Sequence, residues 1–445
     1  MEIKSLKISV AGIRGIYPSQ INPEIAFKFG VAFGNFLKEK NIFVGRDTRI
    51  SGDVLKSSLI SGILASGKNV IDLGIVPTPT VEFIVEKNEN CGGAIITASH
   101  NPSSYNGIKL LSPEGTFLNE REKNRFISFF SKNQKIKKRP GSLTEKTDSF
   151  LLHADAIFKN VNVELIKKFN FKVVVDPCQG VGALYSEKFL KEMGCQVTVI
   201  NRSPLGKFSH NPEPLPQNLK ELAEKVKETK SDIGFAQDPD GDRLAIVSEN
   251  GEPLSEEYSL LIALDHILSK EKGSVVVNLS TNSAVEKVCE KYGVEVFRTK
   301  IGEVNVVEKM KKTGSVIGGE GNGGIIWPKV HYGRDSFVAM ALILESMAER
   351  KKKISEIVKE FPPFFLLKKK IAFTGTETSL FKKLEKFYRG NKLIKIDGIK
   401  ILKKEGWIHV RISGTEPVLR IFIEGKDKKT AENLYREVLG VIRQD

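Results

Sequence analysis

The regular alternation of short apolar strands with amphipathic helices is the feature that most constrains how this chain folds. The alternation continues through three successive stretches, and in each of them a polar, glycine-containing loop follows the end of a strand. Alternating strands and helices predict layered α/β domains, in which ligands bind at the carboxyl ends of the strands. From about Lys368 the pattern changes to short strands closed by a helix, which predicts an α+β domain.

A length of 445 residues alone predicts about three domains, whereas the three α/β stretches and the α+β tail together predict four. Three related α/β domains precede one α+β domain, with domain I at 1–152, domain II at 153–252, domain III at 253–366 and domain IV at 367–445. Each predicted domain contains a polar loop whose residue types indicate a chemical role.

The composition is typical of a globular protein in a reducing compartment. Hydrophobic residues make up 40% of the chain, yet no apolar run approaches the ~18 residues of a membrane span. The N-terminus lacks the apolar core of a signal peptide, and the four cysteines lie far apart without metal-ligand spacing. We therefore expect reduced thiols, a cytoplasmic location and no membrane partner.

The net charge of +15 permits two interpretations. Basic runs at 135–139 and 350–353 are compatible with nucleic-acid binding, whereas a lysine-rich surface also suits an enzyme for anionic metabolites. The basic runs lie beside the predicted domain junctions and contain no interleaved aromatic residues on which bases could stack. We therefore favour the enzyme and expect no nucleic-acid partner.

A serine lies at the end of a buried strand in predicted domain I. The apolar run Gly93-Ala94-Ile95-Ile96 predicts the strand, and Thr97-Ala98-Ser99-His100-Asn101-Pro102 follows it. The residue before a proline is disfavoured in helical geometry, so the chain turns here. The turn delivers Ser99 to the rim of a sheet beside His100, as a nucleophile requires. The alternative is an ordinary strand-to-turn connection without chemical function.

Three aspartates, Asp238, Asp240 and Asp242, alternate along one loop of predicted domain II. Carboxylates this close repel one another, so burying them without a cation is costly. Mg²⁺ binds carboxylates together with phosphate oxygens, and the loop therefore predicts a Mg²⁺ site. A calcium loop is a poorer match because the stretch that follows, Leu244-Ala245-Ile246-Val247, is strand-like. The alternative is a solvated acidic turn.

A glycine-rich loop at 318–324 follows a strand of predicted domain III. Its glycines allow the backbone to approach a ligand closely, while Glu320 supplies an acceptor and Asn322 an amide. Because glutamate commonly contacts vicinal sugar hydroxyls, we interpret these two residues as candidate sugar ligands. The alternative is a flexible loop without function.

The loop Arg411-Ile412-Ser413-Gly414-Thr415-Glu416-Pro417 in predicted domain IV suits an anion, and Arg420 follows closely. Two hydroxyls, the amides of a glycine turn and two guanidiniums can form a concave anion site, and phosphate is the expected ligand. Further positive charge is expected near the strand ends of domain I, from Arg14, Arg46 and Lys109.

The four loops together give the chain a resemblance to the α-D-phosphohexomutases, whose four signatures occur here in the same order and span nearly the whole chain. The signatures lie at 97–102, 238–243, 319–324 and 411–417. The resemblance implies an α/β fold in which three related α/β domains with mixed sheets and a C-terminal α+β domain surround a central cleft. It also implies an enzyme, an intramolecular phosphotransferase that interconverts hexose 6-phosphates and hexose 1-phosphates.

The resemblance further implies roles for the loop residues. Ser99 would carry a phosphoryl group that passes to and from the sugar through a bisphosphate intermediate. Asp238, Asp240 and Asp242 would hold Mg²⁺ together with Ser99. Glu320 and Asn322 would contact sugar hydroxyls. The phosphate that is not transferred would be held by Arg411, Ser413, Gly414, Thr415 and Arg420.

The remaining catalytic candidates surround the serine. His100 and Lys109 are candidates for proton transfer, because a general acid or base is needed at the reacting hydroxyl. Positive charge stabilises a transferring phosphoryl group, which makes guanidiniums near the serine candidates as well. These are Arg14, Arg46 and Arg243.

Two positions depart from the family pattern. Many relatives carry a histidine where this chain has Gly324, and our hypothesis is that His331 reaches the same space. Relatives often carry an aspartate where this chain has Ala11, which weakens any role for that position.

The sugar loop and the segment at 331–335 resemble the branch of the family labelled phosphoglucosamine mutase, so glucosamine phosphate is the first expected substrate. Phosphomannomutase/phosphoglucomutase is the alternative, because no residue unambiguously distinguishes a 2-amino group from a 2-hydroxyl. A non-catalytic phosphosugar-binding protein is a more remote alternative, since Ser99 and the three aspartates are all present. We expect a monomer or a homodimer.

Overall fold

The computed structural model describes residues 12–132, 134–204, 206–373, 375–413 and 418–443, and the backbone of the short strand Ile8–Ser9. Within these residues the chain forms four sheets that pack against helices. Three sheets are mixed and the fourth is antiparallel, which confirms the predicted α/β class with a C-terminal α+β domain. Among the described helices, none is long and apolar enough to cross a membrane.

Domain I contains a seven-stranded sheet. Its strands are β1 (Ile8–Ser9), β2 (Gly12–Ile16), β3 (Asn41–Arg46), β4 (Asn69–Ile75), β5 (Cys91–Ile96), β6 (Tyr105–Leu111) and β7 (Leu143–Glu145). Its helices are α1 (Pro23–Phe36), α2 (Gly52–Ala65), α3 (Thr78–Glu86), α4 (Glu120–Phe130) and α5 (Ser149–Phe158). The strand order is β1-β2-β6-β5-β3-β4-β7, in which β3 is parallel to β4 and β5 whereas β6 is antiparallel to β5.

Domains II and III each contain a four-stranded sheet. The elements of domain II are α6 (Val163–Phe169), β8 (Lys172–Asp176), α7 (Gly182–Glu192), β9 (Gln196–Val199), a 3₁₀ turn (Pro216–Asn218), α8 (Lys220–Thr229), β10 (Ile233–Gln237) and β11 (Leu244–Ser248). Those of domain III are α9 (Glu257–Lys270), β12 (Val275–Asn278), α10 (Ala284–Tyr292), β13 (Val296–Thr299), α11 (Glu303–Thr313), β14 (Ile317–Glu320), β15 (Gly324–Ile326), α12 (Ser336–Arg350) and α13 (Ile354–Val358).

The three α/β sheets share one core topology. The orders β6-β5-β3-β4, β11-β10-β8-β9 and β15-β14-β12-β13 are equivalent, with two parallel pairings and one antiparallel pairing in each. In every case the connection to the antiparallel strand contains or adjoins the predicted reactive residues, which are Ser99, Asp238 to Asp242 and Glu320 to Asn322. The repeated topology therefore presents three polar loops at equivalent places.

Domain IV is built on a five-stranded antiparallel sheet. Its elements are β16 (Phe365–Ala372), α14 (Glu377–Phe387), β17 (Lys392–Ile394), β18 (Ile399–Lys403), β19 (Gly406–Ile412), β20 (Val418–Gly425) and α15 (Lys428–Arg443). The strand order is β16-β20-β19-β18-β17. The residue boundaries between the domains stay predictions.

The domains are joined by two kinds of packing. A continuous hydrophobic core crosses domains I to III, and α9 and α12 are buried in it along most of their length. Domain IV has its own core and meets domain III through polar contacts. Lys400 Nζ donates to the Leu279 carbonyl, and His409 Nδ1 contacts Ser280 Oγ, both at 2.7 Å. The first three domains therefore form one packed body to which domain IV is attached by hydrogen bonds.

Helices α1 and α2 approach each other closely at Gly30 and Gly62. A Cβ atom added at Gly62 lies 2.1 Å from the Phe27 carbonyl oxygen, and one at Gly30 lies 2.2 Å from that of Leu59. Both distances are far below van der Waals contact, so any side chain here must push the helices apart.

We expect Gly62→Ala to destabilise the protein by about 1–3 kcal/mol, because the added methyl group overpacks the contact between α1 and α2. The midpoint of thermal unfolding by calorimetry measures this effect. Gly440→Ala in α15 is the matched control, since no atom lies within 4 Å of its added Cβ. Alanine there gains helix propensity, and equal losses in the two variants would contradict the steric explanation.

Candidate active site

Ser99 lies buried in the turn after β5 and has a positive φ of 48°. This left-handed conformation is uncommon for a residue with a side chain and persists where the surroundings enforce it. The Ser99 amide donates to Thr97 Oγ1 at 2.8 Å, and the Thr97 hydroxyl donates to Asp47 at 2.7 Å. The turn therefore holds the Ser99 hydroxyl in one position.

Arg49, a residue that the sequence analysis missed, holds the rest of the serine loop. Its buried guanidinium donates hydrogen bonds of 2.6–2.8 Å to four carbonyls, those of Ser99, Asn101, Pro102 and Tyr105. Asp47 balances its charge at 2.9 Å. The available signal was the string Gly45-Arg46-Asp47-Thr48-Arg49 at a strand end, which contains two arginines but does not indicate which one faces the loop.

The aspartate loop of domain II contacts Ser99 directly. Ser99 Oγ donates to Asp238 Oδ2 at 2.8 Å. The other oxygen of Asp238 accepts from the amides of Asp242 and Arg243 at 3.0 and 3.1 Å. Gly241 turns the loop with a φ of 73°, a conformation that favours glycine. The structure thus brings together two loops that the sequence analysis identified separately.

The three aspartates fit a divalent cation. One oxygen from each of Asp238, Asp240 and Asp242 lies within 4.8 Å of the others, and all three side chains are buried. The buried Oδ1 atoms of Asp240 and Asp242 have no hydrogen-bond partner. Burial and the neighbouring carboxylates raise the pKa of Asp238 well above its usual value. Unpartnered oxygens among mutually repelling carboxylates are a donor set that Mg²⁺ prefers.

Lys109 and Arg14 add positive charge to this site. Lys109 Nζ donates to Asp240 Oδ2 at 2.7 Å and lies 3.7 Å from Asp242 Oδ2. Burial opposes its charge, but the two aspartates outweigh burial and raise the pKa of Lys109. Burial lowers the pKa of Arg14 to about 10, which still leaves it charged at neutral pH. Arg14 Nη1 donates to Asn101 Oδ1 at 3.2 Å, so it lies against the serine loop.

His100 is placed to exchange a proton with Ser99. Its Nδ1 atom lies 3.2 Å from Ser99 Oγ. Burial and the guanidiniums of Arg243 and Arg14 lower the pKa of His100 well below its usual value. His100 is therefore neutral at neutral pH and able to accept a proton, whereas Lys109 is charged and able to donate one.

Glu320 is held rigidly in the sugar loop. Its Oε1 atom accepts from Asn278 Nδ2 and from the Gly302 amide, each at 2.8 Å, and its Oε2 atom accepts from Arg334 at 2.9 Å. Burial opposes ionisation, but Arg334 and these donors lower the pKa of Glu320, so it is a carboxylate at neutral pH. Asn322 Oδ1 accepts from the Gly324 amide at 3.1 Å and stabilises the turn of the loop.

A cavity of about 530 Å³ connects the loops of all four domains. Its volume is in the range typical of small-molecule sites. The predicted site residues that line it are Arg14, His100, Lys109, Arg243, Glu320, Asn322, Arg411, Ser413 and Arg420. Ser99 and Asp240 contact its wall through His100 and Lys109. Gly414 and Thr415 lie outside the described residues.

Arg46 is placed differently from its prediction. Its guanidinium donates to the Asp47 carbonyl at 2.9 Å and pairs with Asp53 of α2 at 2.6 Å. Arg46 is not among the described residues that line the cavity, because its side chain packs against α2 and not against the serine loop. The structure thus pairs Arg46 with α2, and its expected role at the transferring phosphoryl group stays a prediction, whereas Arg49 is the arginine that contacts the serine loop.

The structure places His331 elsewhere than beside position 324, so that hypothesis is corrected. His331 is buried away from the cavity, where its Nε2 contacts Asp335 at 3.2 Å and its ring meets His153 edge-on. A Cβ atom added at Gly324 lies 2.3 Å from Arg334 Cδ. Arg334, which the sequence analysis did not single out, therefore occupies this space.

Comparison with known proteins decides the family. Models of phosphoglucomutase/phosphomannomutase match the chain in order, with alpha/beta/alpha domain I at 6–137, domain II at 152–251, domain III at 255–365 and the C-terminal domain at 365–441. The chain belongs to the phosphoglucomutase/phosphomannomutase family. It is a phosphohexomutase, an isomerase that transfers phosphate within a sugar phosphate.

Relatives and solved structures agree with this assignment. A phosphoglucomutase/phosphomannomutase from Thermococcus kodakarensis is 40% identical over 94% of each chain. A protein of Pyrococcus abyssi, named probable phosphoglucosamine mutase, is 36% identical over 97% of each chain. The crystal structure of a phosphoglucomutase/phosphomannomutase family protein from Burkholderia thailandensis is 24% identical and has a TM-score of 0.86, covering 100% of this chain and 98% of its own. That structure supports the shared fold.

Domain IV contacts the sugar loop of this phosphohexomutase through Lys368. Its Nζ atom donates to the Gly321 carbonyl at 2.8 Å and to Glu256 at 2.6 Å. Beside it lies Glu257, whose Oε2 atom accepts two hydrogen bonds from Asn282 and whose buried Oε1 atom has no hydrogen-bond partner and lies 3.5 Å from Lys368 Nζ. Burial raises the pKa of Glu257 to about 7, despite the opposing charge of Lys368.

This raised pKa makes the stability of the phosphohexomutase depend on pH. Folded Glu257 keeps a proton that the unfolded chain, with the ordinary value of 4.5, releases earlier. Its contribution is therefore fully present below about pH 4.5 and is lost as pH rises to about 7. The difference corresponds to ~3 kcal/mol. We expect Glu257→Gln to be more stable than the wild type at pH 8, by up to this amount, and similar to it near pH 4.5.

Calorimetric unfolding midpoints at several pH values between 4.5 and 8 measure this difference. Glu295→Gln, which changes an exposed glutamate just before β13, is the matched control and should leave the pH dependence of the wild type unchanged. The explanation fails if Glu257→Gln shows the same pH dependence as the wild type.

Proposed function

We propose that this phosphohexomutase interconverts hexose 6-phosphates and hexose 1-phosphates through a phosphoryl group carried by Ser99. The observation that carries the proposal is the 2.8 Å hydrogen bond from Ser99 Oγ to Asp238, directly behind His100 in the wall of a cavity that Arg411 and Arg420 line from domain IV. A nucleophile beside a metal-binding loop therefore lies next to a cavity that holds separate cations for a second phosphate.

In the first transfer, the bond between phosphorus and Ser99 Oγ breaks and a bond forms between phosphorus and a sugar hydroxyl oxygen. The proton of that hydroxyl passes to neutral His100, which returns it to Ser99 Oγ. The reverse transfer, from the other phosphate of the bisphosphate, restores the phosphoserine after the sugar has turned over in the cavity. Atoms and charges balance over the cycle, so no other reactant is consumed.

The charged residues act by electrostatic stabilisation, which is the main contribution in phosphoryl transfer. Asp238, Asp240, Asp242 and Ser99 would hold Mg²⁺. When bound, Mg²⁺ supplies Lewis-acid stabilisation of the negative charge on the transferring phosphoryl group. Lys109 remains charged between Asp240 and Asp242 and orients their carboxylates, while Arg14 and Arg243 present positive charge to the cavity.

The phosphate that is not transferred lies at the domain IV end of the cavity. Arg411 and Arg420 are neighbours across β19 and β20, and Ser413 follows the end of β19. Gly414 and Thr415 complete the proposed phosphate loop. Because this end binds phosphate irrespective of the carbon to which it is attached, it accepts both orientations of the bisphosphate.

Glucosamine phosphate is the first substrate candidate. The carboxylates of Glu303 and Glu320 both line the cavity and can accept hydrogen bonds from a 2-ammonium group. The name of the Pyrococcus abyssi relative supports this choice. Mannose and glucose phosphates are the second candidate, which the name of the Thermococcus kodakarensis relative supports.

The phosphoserine is tested with Ser99→Ala. We expect intact-mass measurement of the wild type to show the added mass of one phosphoryl group after incubation with a hexose bisphosphate, and the variant to lack it. Mutase activity should fall by at least about 10³-fold, because no other group replaces the nucleophile. Ser103→Ala, in the exposed part of the same loop, is the matched control and should behave like the wild type. Full activity in Ser99→Ala would overturn the mechanism.

The sugar is tested by comparing kcat/KM for glucosamine, glucose and mannose 6-phosphates. We expect the highest value for glucosamine 6-phosphate. Glu303→Gln should lower that value by about tenfold more than the value for glucose 6-phosphate, since a charge-assisted hydrogen bond to the ammonium is lost. Higher kcat/KM for glucose or mannose 6-phosphate, with equal effects of Glu303→Gln on all three, would favour phosphomannomutase/phosphoglucomutase.

A further inference from the structure

One guanidinium joins three loops of the site. Arg334 lies between β15 and α12 and is only 7% exposed. Its Nη2 donates to Asp242 at 2.6 Å, its Nε to Glu303 at 2.8 Å and its Nη1 to Glu320 at 2.9 Å. These three carboxylates belong to the aspartate loop, the start of α11 and the sugar loop. Arg334 therefore bonds the metal-binding part of the site to its sugar-binding part.

Few side chains could make this connection. Arginine presents its donors in a rigid planar fork, so the directions of its hydrogen bonds to three carboxylates are fixed together. Lysine has a comparable charge but a single nitrogen at the end of a flexible chain. The three carboxylates also raise the pKa of Arg334 well above its usual value, despite burial, so its charge is permanent.

The side chain of Arg334 fits against the sugar loop because residue 324 is a glycine. A Cβ atom added at Gly324 lies 2.3 Å from Arg334 Cδ and 2.9 Å from Arg334 Cγ. Any larger residue at 324 would displace the aliphatic part of Arg334 from the sugar loop. The glycine at 324 and the arginine at 334 are therefore one structural arrangement.

We propose that Arg334 is a positioning residue that sets the sugar loop relative to the metal loop. This inference rests on the proposed function, because it takes Asp242 as a metal ligand and Glu320 as a sugar ligand. Arg334 holds Glu320 Oε2, while Asn278 and Gly302 hold Oε1, so the direction of this carboxylate is fixed by the three together. Misplacement of a contacting group by about 1 Å can cost roughly 10²-fold in rate.

The same arrangement gives Arg334 an opposite effect on the metal. Arg334 donates a hydrogen bond to Asp242 Oδ2, whereas the buried Oδ1 atom of Asp242 has no hydrogen-bond partner. The guanidinium charge beside Asp242 repels a cation bound there. Removing that charge should therefore strengthen Mg²⁺ binding while weakening sugar binding. General damage to the fold would weaken both Mg²⁺ binding and sugar binding.

The test compares Arg334→Gln and Arg334→Lys with the wild type. Mg²⁺ binding is measured by titration calorimetry with Mg²⁺ alone, and kcat and KM are measured with glucosamine and glucose 6-phosphates. We expect Arg334→Gln to bind Mg²⁺ at least about fivefold more tightly. Its kcat/KM should fall by roughly 10²-fold, with a higher KM. Arg334→Lys, which keeps the charge but not the fork, should show Mg²⁺ affinity close to the wild type and a reduced kcat/KM.

Arg350→Gln is the matched control, because Arg350 lies at the other end of α12 and pairs with Asp265 and Glu360 away from the cavity. It should leave both measurements unchanged. If Arg334→Gln alone does not fold, the double variant Arg334→Gln/Glu303→Gln, which buries one carboxylate fewer, is compared in the same way with Glu303→Gln, so that the difference reports Arg334 alone.

The inference is overturned if Arg334→Gln leaves both quantities unchanged, or if Mg²⁺ and sugar binding weaken together. Failure of the proposed function gives a different result. Ser99→Ala would then keep full mutase activity, whatever the behaviour of the Arg334 variants.

Discussion

The burial of three aspartates in one loop is the constraint on which the rest of the site depends. Their charges require cations that the loop cannot supply alone, and these come from Lys109 of domain I and Arg334 of domain III. Domain I adds a hydrogen bond from the Thr78 hydroxyl to Asp240 at 2.8 Å. The loop of domain II is therefore complete only when all three α/β domains are packed together, and one hydrophobic core crosses these domains.

Domain IV is attached by a different kind of contact, and that difference suits its proposed task. Lys400 and His409 bind the backbone and hydroxyl of Leu279 and Ser280, in the loop that follows β12. The same loop provides Thr281, whose hydroxyl accepts from the amide of Gly321 in the sugar loop. Hydrogen bonds depend on direction more than apolar packing does, so the position of domain IV is coupled to the sugar loop through a few specific atoms.

The sequence was informative where a structural signal is local. The alternation of strands and helices predicted the α/β class, and the structure confirms it as three sheets of equivalent topology. Ser99 and Asp238 could each be identified because a polar loop follows a buried strand. Their contact across 139 positions could not be derived from either loop. Arg46 and Arg49 show the same limit, since only the path of the chain into α2 decides which arginine faces the serine loop.

Position 324 shows why the remaining part of the site required the structure. A missing side chain in a functional loop leaves space, and close packing requires that another group fill it. His331 is a reasonable candidate from sequence distance alone, yet Arg334 lies beside β15, where its side chain fills the space next to Gly324. The antiparallel bridge between Ile326 and Arg334 places the arginine there, so its role follows from strand pairing and not from residue type. A glycine within such a loop is thus evidence about its neighbour as well as about the backbone.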